Sequence, residues 1–175
     1  DLIVASAGLN LGLRYLPSAF AYNSLLQPPL DADLASAIVW FDAYVTNVDR
    51  TPRNVNMLIW QAELWLIDHG ASLYFHYDWG DYLERSRSPF AYISQHVLLP
   101  LASRVREADA RLRPLLTEGR LRQIVDFIPT VWLGEEKDFA GPTEHRAAYV
   151  VYLTARLAAS ANFVEEATNA HAKLI

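Results

Sequence analysis

Three side chains in this 175-residue sequence have the types and spacing for phosphoryl transfer: Asp49, Asn54 in the same short segment, and Asp68 at the close of the next apolar stretch. That reaction asks little covalent chemistry of a protein. It needs a carboxylate to hold the attacking hydroxyl, oxygen ligands to hold magnesium against the phosphates, and accurate positioning. Asp49 suits the first task, Asn54 and Asp68 the second. Magnesium takes hard oxygen donors and commonly draws only one or two of them from protein. Each half of the set also has an ordinary explanation. Asp and Asn at this separation are frequent in turns, where they bond their own backbone, and Asp-His-Gly alone is no more specific. The two halves joined by a strand–turn–strand of this length are harder to reach by chance, which favours the catalytic reading.

The elements that must position these residues are legible. Pro52 has a fixed φ and no donor, so Asp49 to Asn54 reads as an ordered loop and not a helix. Val55 to Trp60 reads as a strand, Gln61-Ala62-Glu63 as a turn, and Leu64 to Ile67 as a second strand. Such a hairpin, over residues 55–67, returns Asp68 to the level of Asn54, within reach of one ion. Gly70 lets the chain turn sharply afterwards. Upstream, Asp31 or Asp33 caps a helix with an apolar stripe of Leu34, Ile38, Phe41 and Val45, which delivers the chain into Asn47. Asp42 lies on that helix. It could brace the loop, but the pattern favours a helix-surface position.

Composition bounds the rest. Apolar residues make up 52 % of the chain, with five Trp and nine Tyr, enough for a substantial core in one domain. A net charge of −5 offers no basic footprint, so nucleic acid is not an expected partner. The lack of cysteine excludes disulfides and thiolate metal sites and permits a cytoplasmic location. No apolar run reaches the length of a membrane span.

Asn47-Val48-Asp49-Arg50 to Asn54, followed by Leu66-Ile67-Asp68-His69-Gly70, resembles the catalytic loop and metal-binding turn of the protein-kinase-like fold. More narrowly, it is similar to the HipA-like kinases, with a likeness to the Asp-Arg-His-x-x-Asn loop of phosphoinositide 3-kinase-like enzymes. The resemblance is strongest from Asp31 to Trp79. Three departures stand out: Thr51 where lipid kinases carry His, His69 where protein kinases carry Phe, and no lysine before Asp49, since Lys137 and Lys173 are the only two. Gly8 and Gly12 are isolated and form no glycine-rich phosphate loop.

The resemblance implies a mainly α fold with a small β-hairpin, like a kinase carboxy-terminal lobe with the amino-terminal lobe largely absent. It implies one domain over residues 1–175, with 1–17 supplying a strand and hinge. Leu9 to Pro17 would be that strand, bringing Tyr15 and Leu16 to the adenine; an ordinary edge strand is the alternative. The implied activity is ATP-dependent, Mg2+-assisted transfer of a phosphoryl group to a hydroxyl, by likeness to HipA-like Ser/Thr kinases a protein hydroxyl. Asp49 would be catalytic, Asn54 and Asp68 metal ligands, and Arg50 and Arg53 either phosphate contacts or residues pinning the loop. Small-molecule or lipid phosphotransfer, and a non-catalytic kinase-like binding module, are the alternatives. The missing lysine and glycine loop lead to the expectation that this chain by itself is inactive. Exposed Leu9, Leu11 and Leu13 would make it prone to self-association.

The remaining chain reads as support. The aromatic run 72–79 would shape a substrate entrance. Asp68, His69, His76 and Asp78 also invite a transition-metal reading, but their spacing matches no compact ligand motif, and packing roles are favoured. Residues 18–30 and 81–89 read as loops, the second with Ser86 and Ser88 among arginines. Helices are predicted over 90–99, 101–113 and 121–128. After a charged loop over 134–141, one last helix carries a stripe of Val150, Leu153, Leu157, Ala161 and Val164.

Overall fold

The computed structural model describes residues 4, 6–25, 29–133 and 136–174. The chain is mainly helical with a small three-stranded antiparallel sheet. The strands are β1 (Phe20–Ala21), β2 (Met57–Trp60) and β3 (Glu63–Leu66), in the order β1-β2-β3. The principal helices are α1 (Ala32–Tyr44), α2 (Tyr82–Arg85), α3 (Val105–Leu112), α4 (Glu118–Asp126), α5 (Pro142–Ala158) and α6 (Ser160–Ala172).

Helix α1 starts where the sequence places it. The Asp31 carboxylate accepts from the backbone N–H groups of Asp33 and Leu34 at 3.0 and 3.1 Å, a cap contributing about 1 kcal/mol. Its buried face differs from the expected stripe. Ile38 is buried, but Leu34 and Phe41 are 44 % and 37 % exposed, and the core is filled instead by Ala35, Val39, Trp40, Ala43 and Tyr44. The helix is apolar almost all round, so periodicity could not choose its inner face. Packing against α3 and α6 chose it. Trp40 stacks on Tyr44 with ring centroids 5.4 Å apart and meets Phe163 of α6 edge-on at 5.9 Å.

The hairpin forms as read from the sequence, within two residues at the strand ends. Met57 pairs with Leu66 and Trp60 with Glu63. Gln61 and Ala62 both have positive φ, the geometry of the two-residue hairpin turn that matches strand twist. The third strand was not foreseen: Phe20 and Ala21, in a stretch read as loop, pair with Ile59 and Leu58. Conversely, the strand expected over Leu9–Pro17 is absent, and residues 9–16 form no regular element. An alternating apolar pattern makes a strand only where a free sheet edge meets it, and β2 gives that edge to residues 20–21.

The carboxy-terminal helices also differ from the sequence reading. The expected single last helix is broken at Ala159 into α5 and α6, bent by 57°. Val150, Leu153 and Val164 are buried, whereas Ala161 is exposed. Residues 90–99 hold a 3-10 turn (Ala91–Gln95), not an α-helix. The charged loop over 134–141 lies partly outside the described residues. Among those described, no single helix is long and apolar enough to cross a membrane.

One buried cation joins these parts. Arg156 of α5 donates to the carbonyls of Ala43 (2.5 Å) and Tyr44 (2.8 Å) at the end of α1, and to those of Ser86 (3.1 Å) and Ser88 (3.0 Å). Its guanidinium lies 4.9 Å from the Phe163 ring centroid. The last carbonyls of a helix have no intrahelical partner, and Arg156 satisfies them from outside the helix while anchoring the 86–88 loop.

Candidate functional site

Helix α1 ends at a left-handed Thr46, φ 56°, and the chain turns into the loop. Asn47 N–H still bonds the Asp42 carbonyl at 2.8 Å. The Asn47 side chain then works in both directions. Its Nδ2 donates to Asp42 Oδ1 at 3.0 Å, and its Oδ1 accepts from Asp49 N–H at 3.1 Å. Beyond Asp49, Thr51 and Asn54 exchange backbone hydrogen bonds of 3.0 and 3.1 Å around Pro52. The expected ordered loop is present.

That turn brings Asn54 back onto Asp49. Asn54 Nδ2 lies 2.7 Å from Asp49 Oδ2, and Asn56 Nδ2 lies 3.3 Å from the same oxygen. An ionised carboxylate only accepts, so both amides turn their NH2 groups toward Asp49. The Asn54 carbonyl oxygen is thereby turned away from Asp49, free to act as a hard oxygen ligand. Asp49 Oδ1 has no hydrogen-bond partner among the described residues, and Asp49 is only half-buried. One carboxylate oxygen holds the loop together; the other is open to a hydroxyl.

Asp68 leaves the sheet beside this loop. Ile67 N–H bonds the Asn56 carbonyl at 3.0 Å, one step beyond the β2–β3 ladder, so Asp68 leaves the hairpin at the end where the Asn54 loop enters it. Asp68 itself is exposed and left-handed, φ 49°, with Oδ1 facing Gly70 N–H at 3.4 Å. It lines a cleft of about 560 Å³ together with Leu13, Arg14, Tyr15, Leu16, Ser18, Ala19, Leu58 and Ile67. Tyr15 and Leu16 therefore share a cavity with Asp68 although they do not lie on a strand.

The two arginines divide. Arg50 takes the loop-pinning role: its side chain has no solvent exposure, and Nε lies 2.6 Å from Asp42 Oδ2. Its Nη1 donates to the Asn56 carbonyl and Nη2 faces His69 Nε2 at 3.3 Å. So enclosed, it has no face to offer a phosphate, which corrects its placement among nucleotide-binding residues. Arg53 is exposed and makes no ion pair or hydrogen bond among the described residues.

Asp42 is the residue that sequence reasoning undervalued. It is fully buried, not on the helix surface. Besides Asn47 and Arg50 it meets His96, whose Nε2 lies 2.9 Å from Oδ2. Leu98 N–H donates to His96 Nδ1 at 3.0 Å, which leaves the ring proton on Nε2, directed at Asp42. Burial alone would raise the Asp42 pKa. The hydrogen bond to His96 and the charge of Arg50 outweigh it, and the carboxyl is held below its ordinary value. Partial burial, helped by the Arg50 charge, lowers the pKa of His69, whose ring meets Phe41 edge-on. His96 and Asn56 went unnoticed because nothing in their spacing ties them to the loop. For Asp42, the signal was a carboxylate in line with Val39 and Ala35, one and two turns back along α1, both of them core residues.

The donor set fits magnesium better than a transition metal. Asn54 and Asp68 offer hard oxygens, and the other ligands would come from phosphate and water. No cluster of three or more His, Cys, Asp or Glu suited to a metal exists among the described residues. His76 Nδ1 instead faces the Tyr149 hydroxyl at 3.3 Å, and Asp78 pairs with Arg85 at 3.5 Å. In the aromatic run, Phe75 and Trp79 are core residues, while Tyr74 and Tyr77 are exposed. Phe75 stacks on Tyr152 with centroids 3.5 Å apart.

The helical body, the braced carboxylate loop and the acidic turn after the hairpin are consistent with a kinase-like chain. The chain matches the HipA-like kinase family over residues 7–166. It belongs to that family, and the match runs well past the Asp31–Trp79 stretch in which the sequence likeness is plainest. No curated protein and no solved structure matches it.

Proposed function

We propose that this HipA-like chain serves ATP-dependent phosphoryl transfer to a hydroxyl group, with a Ser or Thr of a protein as acceptor, and that its helical body is the carboxy-terminal lobe of a protein-kinase-like fold. The observation that carries the reading is the arrangement of three groups. Asp49 holds the Asn54 amide so that its carbonyl points away, Asp68 leaves the hairpin at the end where the Asn54 loop enters it, and Asp68 shares a cleft with Tyr15 and Leu16. The cleft volume lies in the usual range for a small-molecule site, and Tyr15 and Leu16, which line it, would meet the base.

The chemistry follows from the free oxygens. Asp49 Oδ1 accepts the hydrogen bond of the acceptor hydroxyl and takes its proton as the hydroxyl oxygen bonds to the γ-phosphorus. The bond from that phosphorus to the β–γ bridging oxygen breaks, and ADP leaves. Asn54 and Asp68 are the residues that would hold Mg2+, which when bound neutralises charge on the phosphate oxygens. Asn56 keeps Asp49 turned to the acceptor side, and Arg53 is free to contact phosphate. A cytoplasmic location, where ATP is available, belongs to the same reading.

The test is Asp49→Ala assayed with γ-labelled ATP. Loss of a positioned base costs about 10²- to 10⁴-fold in rate, with nucleotide affinity retained because Asp49 is not in the cleft wall. Unchanged transfer would sink the catalytic assignment. Nucleotide binding without transfer in the parent protein would instead identify a binding module.

A further inference from the structure

We infer that Asp42 is a positioning residue that couples the candidate base to the candidate metal ligand, through two branches of one buried hydrogen-bond network. The inference rests on the phosphotransfer reading above. The first branch runs from Asp42 Oδ1 through the Asn47 amide to the Asp49 backbone N–H, by bonds of 3.0 and 3.1 Å. The second runs from Asp42 Oδ2 to Arg50 Nε at 2.6 Å and divides at the guanidinium. One arm reaches the Asn56 carbonyl where the hairpin begins, and the other reaches His69, the neighbour of Asp68. Asn56 closes the circuit, because its side chain returns to Asp49 Oδ2 at 3.3 Å.

Each bond on these branches limits one degree of freedom that the reaction depends on. The Asn47 bond sets the direction in which Asp49 leaves the helix end. The guanidinium is planar, so it fixes the start of the hairpin and the turn after it relative to one another. Three further contacts hold the anchor itself. His96 Nε2–H bonds Asp42 Oδ2, Leu98 N–H fixes the His96 ring, and Val97 N–H bonds the Arg50 carbonyl at 3.0 Å. Asp42 and Arg50 are both shut off from solvent, so no water competes for these bonds. Asp42 touches no substrate; it acts by holding the groups that would.

The experiment uses two Arg50 variants and one Asn47 variant made in the intact protein, in the form that shows phosphotransfer, each first checked for cooperative unfolding. Arg50→Lys keeps a cation opposite Asp42 but loses the fork to Asn56 and His69. The pair Asp42→Asn with Arg50→Gln removes both charges together and leaves no buried ion unpaired. For either, kcat should fall about 10²-fold, the cost of small misplacement at a reacting centre. The Mg2+ concentration for half-maximal rate should rise about 10-fold, as for loss of a metal ligand's supporting partner. Mn2+ binding with nucleotide, followed by electron paramagnetic resonance, should weaken by the same factor without any turnover. Asn47→Ala leaves the ion pair intact and should lower kcat with no change in metal dependence. A folded Arg50 variant with parental kcat and parental metal binding overturns the inference. If neither Arg50 variant folds, parental kcat in Asn47→Ala overturns it alone. An inactive Asp49→Ala beside a parental Arg50→Lys would refute only this inference, whereas an active Asp49→Ala would refute the phosphotransfer reading beneath it.

Discussion

Two regions of the candidate site are built on opposite plans. Around Asp42, the polar groups are buried, partnered and connected: Asn47, Arg50 and His96 all meet one carboxylate, and the loop bearing Asp49 cannot shift without breaking several of these bonds. By contrast, residues 9–19, several of which line the cleft beside Asp68, lie on the outside. Leu11 is 81 % exposed and Tyr15 82 %. Few ties hold that segment, chiefly Trp132 Nε1 on the Leu9 carbonyl at 2.9 Å and Trp60 Nε1 on the Pro17 carbonyl at 3.0 Å. The groups proposed to do chemistry are over-determined, and the groups proposed to meet the base of the nucleotide are lightly constrained. A low-dielectric network strengthens each bond within it and penalises any group left unpaired. A surface segment carries neither benefit nor penalty.

The largest effect that tests this contrast is expected at Asp42. Asp42→Ala leaves the Arg50 guanidinium buried without a counter-ion, a change that costs about 3–5 kcal/mol. Urea unfolding should show the midpoint fall accordingly. A loss under 1 kcal/mol would mean that the network is dispensable and the two regions are alike.

A pH titration sharpens the same point. Asp42 has a folded pKa below its unfolded value, so its stabilisation is fully present above the unfolded pKa of about 3.9 and is lost as pH falls through the folded value. Asp42→Asn should flatten this acid limb while lowering stability at neutral pH. An unchanged acid limb in that variant would show that other carboxyls govern acid unfolding. At the alkaline end, burial pushes the Tyr149 hydroxyl up to about 12. Its contribution is complete below about 10, the unfolded value, and is lost as pH rises toward the folded one. Tyr149→Phe should keep its stability further into alkali.

The smallest effect on stability is expected in the lightly held region. Leu11→Ser and Leu13→Ser should change unfolding free energy by less than about 0.5 kcal/mol, as surface substitutions do. We propose that these exposed leucines promote self-association, so light scattering should show the double variant more monodisperse than the parent. A substantial loss of stability would show that this segment is part of the core after all.

Sequence alone was sufficient where chemistry and backbone geometry act locally. Asp31 caps α1, the segment around Pro52 is a loop and not a helix, and the apolar runs on either side of Gln61-Ala62 pair as a hairpin, because each of these depends on residues close in the chain. The identity of the family was legible for the same reason, in a short run from Asn47 to Gly70. What tertiary structure alone decided was which faces turn inward. Helix α1 is apolar around most of its circumference, so only its packing against α3 and α6 could bury Asp42 and expose Phe41. Residues 9–16 alternate like a strand, but the β2 edge is taken by Phe20 and Ala21. His96 lies 54 positions from Asp42, and Arg156 more than a hundred from the helix end it caps. Their partners are set by how the elements fold back on one another, and no local pattern encodes that.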